Sequence, residues 1–184
     1  MHRERSGDDP DTIDDPTRLA ADSALRDNGR PATDRAATTM RTPTVPNTPN
    51  TPTAACPCGD TLPYGKCCGA YHAGQPAPTA EALMRSRYSA YVLGLEAYLH
   101  ATWHATTRPA PQTPLCDPET RWLGLEVRHF EQSGEERASV EFVARYKVGG
   151  RAFRLHEKSR FVREDGAWYY VDGQFIDRPG RRAG

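Results

Sequence analysis

Four of the five cysteines in this 184-residue chain fall between Cys56 and Cys68, spaced C-x-C-x8-C-C. Two tight pairs, Cys56/Cys58 and Cys67/Cys68, close a loop rich in Gly and Pro and can bring four sulfurs around one point. That donor set matches zinc, which takes four thiolates in a tetrahedron with arms of about 2.3 Å. Pro57 stiffens the first pair. Gly59 and Gly69 follow the pairs, where backbone amides must turn toward the sulfurs. Disulfides fit less well: a bond between adjacent Cys67 and Cys68 is strained. A redox dithiol usually reads Cys-x-x-Cys, which is absent. The expectation is one Zn²⁺ per chain on Cys56, Cys58, Cys67 and Cys68. Four thiolates leave no open position for water, so the site is structural rather than catalytic.

A second place for chemistry lies late in the chain. Alternation puts Phe153, Leu155, Glu157, Ser159 and Phe161 on one face of a strand, with His156, Lys158 and Arg160 on the other. Glu157 thus falls among apolar residues, where a carboxylate is costly unless paired and is a candidate acid or base. The same alternation gives Trp168, Tyr170, Asp172 and Gln174 one face, offering Asp172 in support. The plainer reading makes Glu157 a hydrogen-bond acceptor that pins the sheet, with Arg121, Arg145 and Arg160 as available partners. Arg85 and Arg87 can be anion ligands or a solvated, ion-paired helix face, and the latter is favoured. His72 is read as structural, His104 and His156 as surface or hydrogen-bonded residues, and Cys116 as a bystander thiol. No Walker loop, Rossmann glycines, nucleophile elbow or His-Glu-x-x-His is present.

These residues need a scaffold. Basic and acidic residues balance at 24 each, which gives no global pull toward nucleic acid or an anionic membrane. No apolar run reaches the roughly 20 residues of a membrane span. With no apolar signal region at the start of the sequence, a reducing cytoplasm is expected. Residues 1–55 read as a disordered, Thr/Pro-rich segment, and Met40, just ahead of the Thr/Pro run, as the natural start. Residues 56–75 form the cysteine element, 78–176 the main domain and 177–184 a tail. Thr79 is an N-cap for a helix carrying Ala80, Met84, Tyr88, Tyr91, Val92 and Leu95 on one side, broken near Gly94. Glu96 to Trp103 adds a short helix with Tyr98 and Leu99 inward, and the proline-rich stretch from His104 to Pro118 is loop. From Trp122 the period changes to two. Leu123, Leu125 and Val127 share a face, and so do Val140, Phe142, Ala144, Tyr146 and Val148. Gly149-Gly150 and Glu164-Asp165-Gly166 mark turns. The fold class is α+β, with helices packed on one side of a curved antiparallel sheet.

Cys56-Pro57-Cys58-Gly59 and Cys67-Cys68-Gly69 resemble the SEC-C zinc motif at the tail of the SecA translocation ATPase. Together with Leu83-Met84-Arg85-Ser86-Arg87-Tyr88-Ser89-Ala90-Tyr91, Thr102-Trp103-His104, Arg121-Trp122-Leu123-Gly124-Leu125, His156-Glu157-Lys158-Ser159-Arg160-Phe161 and Trp168-Tyr169-Tyr170-Val171-Asp172-Gly173, the chain is similar to the bacterial YchJ family over roughly Cys56 to Phe175. The resemblance implies an N-terminal SEC-C zinc element and a cone-shaped α+β domain similar to nuclear transport factor two, with the four cysteines as ligands. It implies an architecture rather than a reaction. Two features depart from the pattern. Some members carry a second cysteine motif at the C-terminus, where this sequence reads Arg178-Pro179-Gly180-Arg181-Arg182. The lysines that flank the SEC-C loop, which in SecA docks the chaperone SecB, are reduced to Lys66.

Three functions follow as expectations. The first is a cytoplasmic zinc-binding adapter that presents Leu62, Pro63 and Tyr64 to a protein partner in translocation, chaperoning or translation. The second is a small-molecule-binding or catalytic cone using Glu157 with Asp172. The third is oligomerisation through the open sheet face.

Overall fold

The computed structural model describes residues 51–176; Met40, the rest of the N-terminal segment before residue 51, and the tail 177–184 lie outside the described residues. Helix α1 (Cys68–His72) follows a 3-10 turn at Tyr64–Lys66. Helix α2 (Ala80–Leu93) opens where the Thr79 side chain accepts a bond from the Ala82 amide at 3.1 Å. It ends at Gly94 in the left-handed region, φ 68°, a conformation that favours glycine. The short α3 (Glu96–Ala101) buries Leu99. Four strands then run as a meander, β1 (Arg121–Gln132), β2 (Arg137–Val148), β3 (Arg151–Glu164) and β4 (Ala167–Phe175). All neighbours are antiparallel, in the order β1-β2-β3-β4.

The helices cover one face of this sheet, and α2 packs across β1, β2 and β4. Leu83, Met84, Leu99, Trp103, Val140, Phe161 and Trp168 meet there as the main core. The α+β expectation therefore stands. Gly149 and Gly150 both take positive φ, 56° and 83°, as a two-residue hairpin requires.

Two bulges displace residues from the faces that strict alternation gave them. Between Trp122 and Gly124 the β1 register shifts; Leu123 is 46% exposed and does not share the inward face of Leu125 and Val127. Between β3 and β4, Arg160 pairs with Asp172 but Phe161 pairs with Tyr170, so Val171 is the extra residue. Beyond the bulge the faces exchange. Asp172 is turned outward onto Arg160, and Gly173 takes the position facing Ser159.

The cysteine element also draws in residues ahead of Cys56, contrary to the expectation that all of 1–55 is disordered. The Tyr64 amide donates to Ala54 O at 2.7 Å and the Gly65 amide to Pro52 O at 3.0 Å.

Candidate metal centre

The four sulfurs of Cys56, Cys58, Cys67 and Cys68 all lie within 4.8 Å of one another. Cys58 Sγ stands 3.6 Å from Cys67 Sγ, and Cys67 Sγ 3.9 Å from Cys68 Sγ. A regular tetrahedron with arms of about 2.3 Å has edges of about 3.8 Å, so the measured separations suit one central ion. All four cysteines are free of disulfides. Cys56, Cys58 and Cys68 are buried.

Electrostatics point the same way. Thiol hydrogen bonds from Cys58 and Cys68 draw Cys56 far below its ordinary pKa. Its thiolate, as their acceptor, pushes Cys58 and Cys68 up. Burial, with the same neighbours, raises Cys67 to about 12. A dication at the centre would let all four ionise, which is the condition for thiolate ligation.

Local packing explains the rest of the element. Gly59 adopts φ +81°, which suits a glycine directly after the first pair. Gly69 is needed for a different reason than facing amides to sulfur: a Cβ there would lie 2.7 Å from Tyr64 O and 2.9 Å from its ring. Tyr64 is 7% exposed. This corrects the expectation that Tyr64 is presented to a partner with Leu62 and Pro63. Its hydroxyl meets His72 Nδ1 at 2.8 Å, and His72 Nε2 lies 2.9 Å from Ser86 O. A carbonyl only accepts, so Nε2 carries the proton and Nδ1 accepts from tyrosine. Burial lowers the His72 pKa, in keeping with a neutral ring. His72 is therefore a strut between the cysteine element and α2, not a ligand. The buried cysteines also pack against Leu93 and Leu125.

The second candidate site is a cavity of about 60 Å³ between α2 and the inner face of the sheet, with Tyr91 and Trp122 in its lining. Glu157 lines it and is 5% exposed. Ser159 Oγ donates to Glu157 Oε1 at 2.5 Å, and the Tyr170 hydroxyl donates to the same oxygen at 3.4 Å. Burial first, then the Glu157 charge, push the Tyr170 pKa well above the usual tyrosine range, so this hydroxyl stays a donor. Asp172 is not in the cavity. It forms a two-pronged pair with Arg160, Nε to Oδ1 at 2.6 Å and Nη2 to Oδ2, so the paired-carboxylate expectation does not survive the bulge.

Arg87 departs from the expectation in the opposite sense. It is 5% exposed rather than solvated. Its Nη1 donates to Leu99 O at 2.8 Å and Thr102 Oγ1 at 2.7 Å, and its guanidinium lies 4.7 Å from the Tyr170 ring centre and 5.2 Å from that of Trp103. The available signal was an arginine on the same helical stripe as Met84 and Tyr91. Arg85 does pair outward, with Glu81 at 2.8 Å. His104 and His156 meet Glu164 and Glu141 at 3.1 and 2.8 Å, as partly exposed pairs. Cys116 is half-buried and pushed up to about 12 by burial, an inert thiol.

Known proteins share this arrangement. Residues 79–173 match the family model described as "YchJ, middle NTF2-like domain". A UPF0225 protein from Ralstonia nicotianae is 59% identical over 132 residues, spanning 66% of this chain and 91% of the relative. One from Methylibium petroleiphilum is 59% identical over 126 residues, spanning 67% and 90%. The solution structure of a SEC-C motif containing protein from Rhodopseudomonas palustris superposes with a TM-score of 0.57 at 34% identity, covering 66% of this chain and 98% of that one. A crystal structure of a SEC-C motif containing protein from Psychrobacter arcticus gives 0.53 at 33%, covering 64% and 80%. On these matches the chain belongs to the YchJ (UPF0225) family, a SEC-C motif joined to an NTF2-like domain.

Proposed function

We propose that this chain is a cytoplasmic zinc-binding adapter, with one Zn²⁺ held by Cys56, Cys58, Cys67 and Cys68 and a protein partner docking on the loop between the cysteine pairs, in translocation, chaperoning or translation. The observation that carries this reading is Leu62. It is 48% exposed at the tip of a loop whose backbone is fixed, its amide bonded to Asp60 Oδ1 at 3.0 Å and the neighbouring Tyr64 buried. An apolar side chain held out on a rigid support loses little entropy on binding. Lys66, also exposed, adds a charge beside it. In this reading residues 56–75 are the docking element, 78–176 the cone, and 1–55 and 177–184 its extensions. The test compares partners recovered by the wild type and by a Leu62→Ser/Lys66→Ser variant with equal zinc content. Loss of the same proteins supports the adapter, and an unchanged set removes it.

A second reading rests on a separate observation: the cavity is lined by two buried side chains of opposite charge, Arg87 and Glu157. Burying both is costly, and a cavity that takes a small molecule gives the cost a use. Incubating the protein with small metabolites and weighing it intact tests this; no retained mass would count against it. Oligomerisation through the sheet is the weaker alternative, because the outer face carries ion pairs such as Arg160–Asp172 and Arg145–Glu126.

A further inference from the structure

The four-cysteine centre is not built by the cysteine element alone. Helix α2 turns one stripe toward it, where the Ser86 carbonyl meets His72 Nε2 and Leu93 packs against the buried cysteines. Ser89 lies on the same stripe, between those two residues. It is fully buried, and its Oγ stands 3.9 Å from Cys56 Sγ. A buried serine inside a helix commonly turns its hydroxyl back onto the preceding turn. Ser86 does so, its Oγ donating to Leu83 O at 2.7 Å. Ser89 does not: among the described residues, the partners recorded for its hydroxyl are the sulfurs of Cys56 and Cys68.

A ligand thiolate has no proton to give, so the serine hydroxyl is the donor. Four thiolates around one dication leave the centre with net negative charge, and Cys56, Cys58 and Cys68 are buried. Buried negative charge needs donors aimed at it. The backbone amides of Cys58 and Cys68 serve Cys56 from within the element. Ser89 adds a donor from outside it, carried on the longest helix of the cone. An outer donor of this kind fixes the orientation of a ligand, and its loss typically costs about 10–100-fold in metal affinity.

We propose, resting on the zinc reading above, that Ser89 is a positioning residue of the metal centre: its hydroxyl donates to the Cys56 thiolate and ties zinc retention to helix α2 of the cone.

The full-length, zinc-loaded protein is titrated with a chromophoric chelator beside two variants, Ser89→Ala and Ser86→Ala. Each removes one buried hydroxyl from the same helix and installs a good helix former. The Ser86 hydroxyl is the matched control, since it meets Leu83 O and Tyr98 Oη rather than sulfur. Ser89→Ala should bind zinc at least about tenfold more weakly, and Ser86→Ala should match the wild type. With cadmium in place of zinc, the NMR resonance of the metal should move in Ser89→Ala and stay in Ser86→Ala, while amide spectra report the fold of each. If Ser89→Ala binds zinc as tightly as the wild type, or if both variants weaken binding alike, the assignment is overturned and the zinc centre stands. If the wild type itself holds no zinc, the zinc reading falls and takes the assignment with it.

Discussion

Gly173 stands directly against the Glu157 carboxylate: a Cβ at Gly173 would lie 2.0 Å from Glu157 Oε1 and 2.3 Å from its Cδ. The Val171 bulge puts a glycine at this point in β4, and the absent side chain is the space that the carboxylate occupies. Ser159 and Tyr170 hold that carboxylate in place, so it cannot step aside cheaply. Gly173→Ala should therefore destabilise the fold by about 1–3 kcal/mol in denaturant unfolding. Combined with Glu157→Ala, the loss should be clearly less than additive. Full additivity would mean that the two residues do not share this space.

Tyr64 and Leu62, two residues apart, should respond in opposite ways. Tyr64→Phe removes the donor to His72 Nδ1 and should cost about 1 kcal/mol, and Tyr64→Ala, which also empties a packed site, about 2–4 kcal/mol. Leu62→Ser should stay within about 0.5 kcal/mol of the wild type. Thermal unfolding at equal metal loading checks all three.

His72 gives a pH dependence with a definite sign. Burial places its folded pKa below the unfolded value of about 6.5, so the unfolded chain takes up the proton first. The stability it contributes is complete above the unfolded pKa and is lost as pH falls through the folded one. His72→Gln cannot titrate. The stability gap between wild type and variant should narrow as pH falls from about 7.5 to about 5. A gap that widens would mean that the ring is held protonated.

Much of this molecule is written locally. The Thr79 cap, the stop at Gly94 and the Gly149-Gly150 hairpin follow from residues next to one another, and each sits where the sequence places it. The cysteine cluster is equally legible, because spacing alone brings the sulfurs together. What escaped the sequence depends on distant neighbours. A bulge is a property of a strand pair, so Leu123 and Asp172 changed faces without a local signal. Arg87 becomes a core residue only because Trp103, Leu99 and Tyr170 arrive around it from elsewhere in the chain. Tyr64 reads as a loop residue until Gly69 and His72 are seen to receive it.

Removing one thiolate should dismantle the element from within. Cys68→Ser, at a buried position in contact with its three partners, should abolish stoichiometric metal. It should also lower the unfolding midpoint, because metal binding energy contributes to the stability of the folded element. A strong chelator acting on the wild type should produce the same shift, and re-addition of zinc should reverse it only when Cys68 is present.

Native mass spectrometry of protein purified without chelator, paired with a thiol count, tests the four-sulfur centre most directly. The proposed adapter predicts one zinc ion per chain, displaced together with the release of four titratable thiols at Cys56, Cys58, Cys67 and Cys68. A chain that carries no stoichiometric metal while those thiols remain reduced would contradict it.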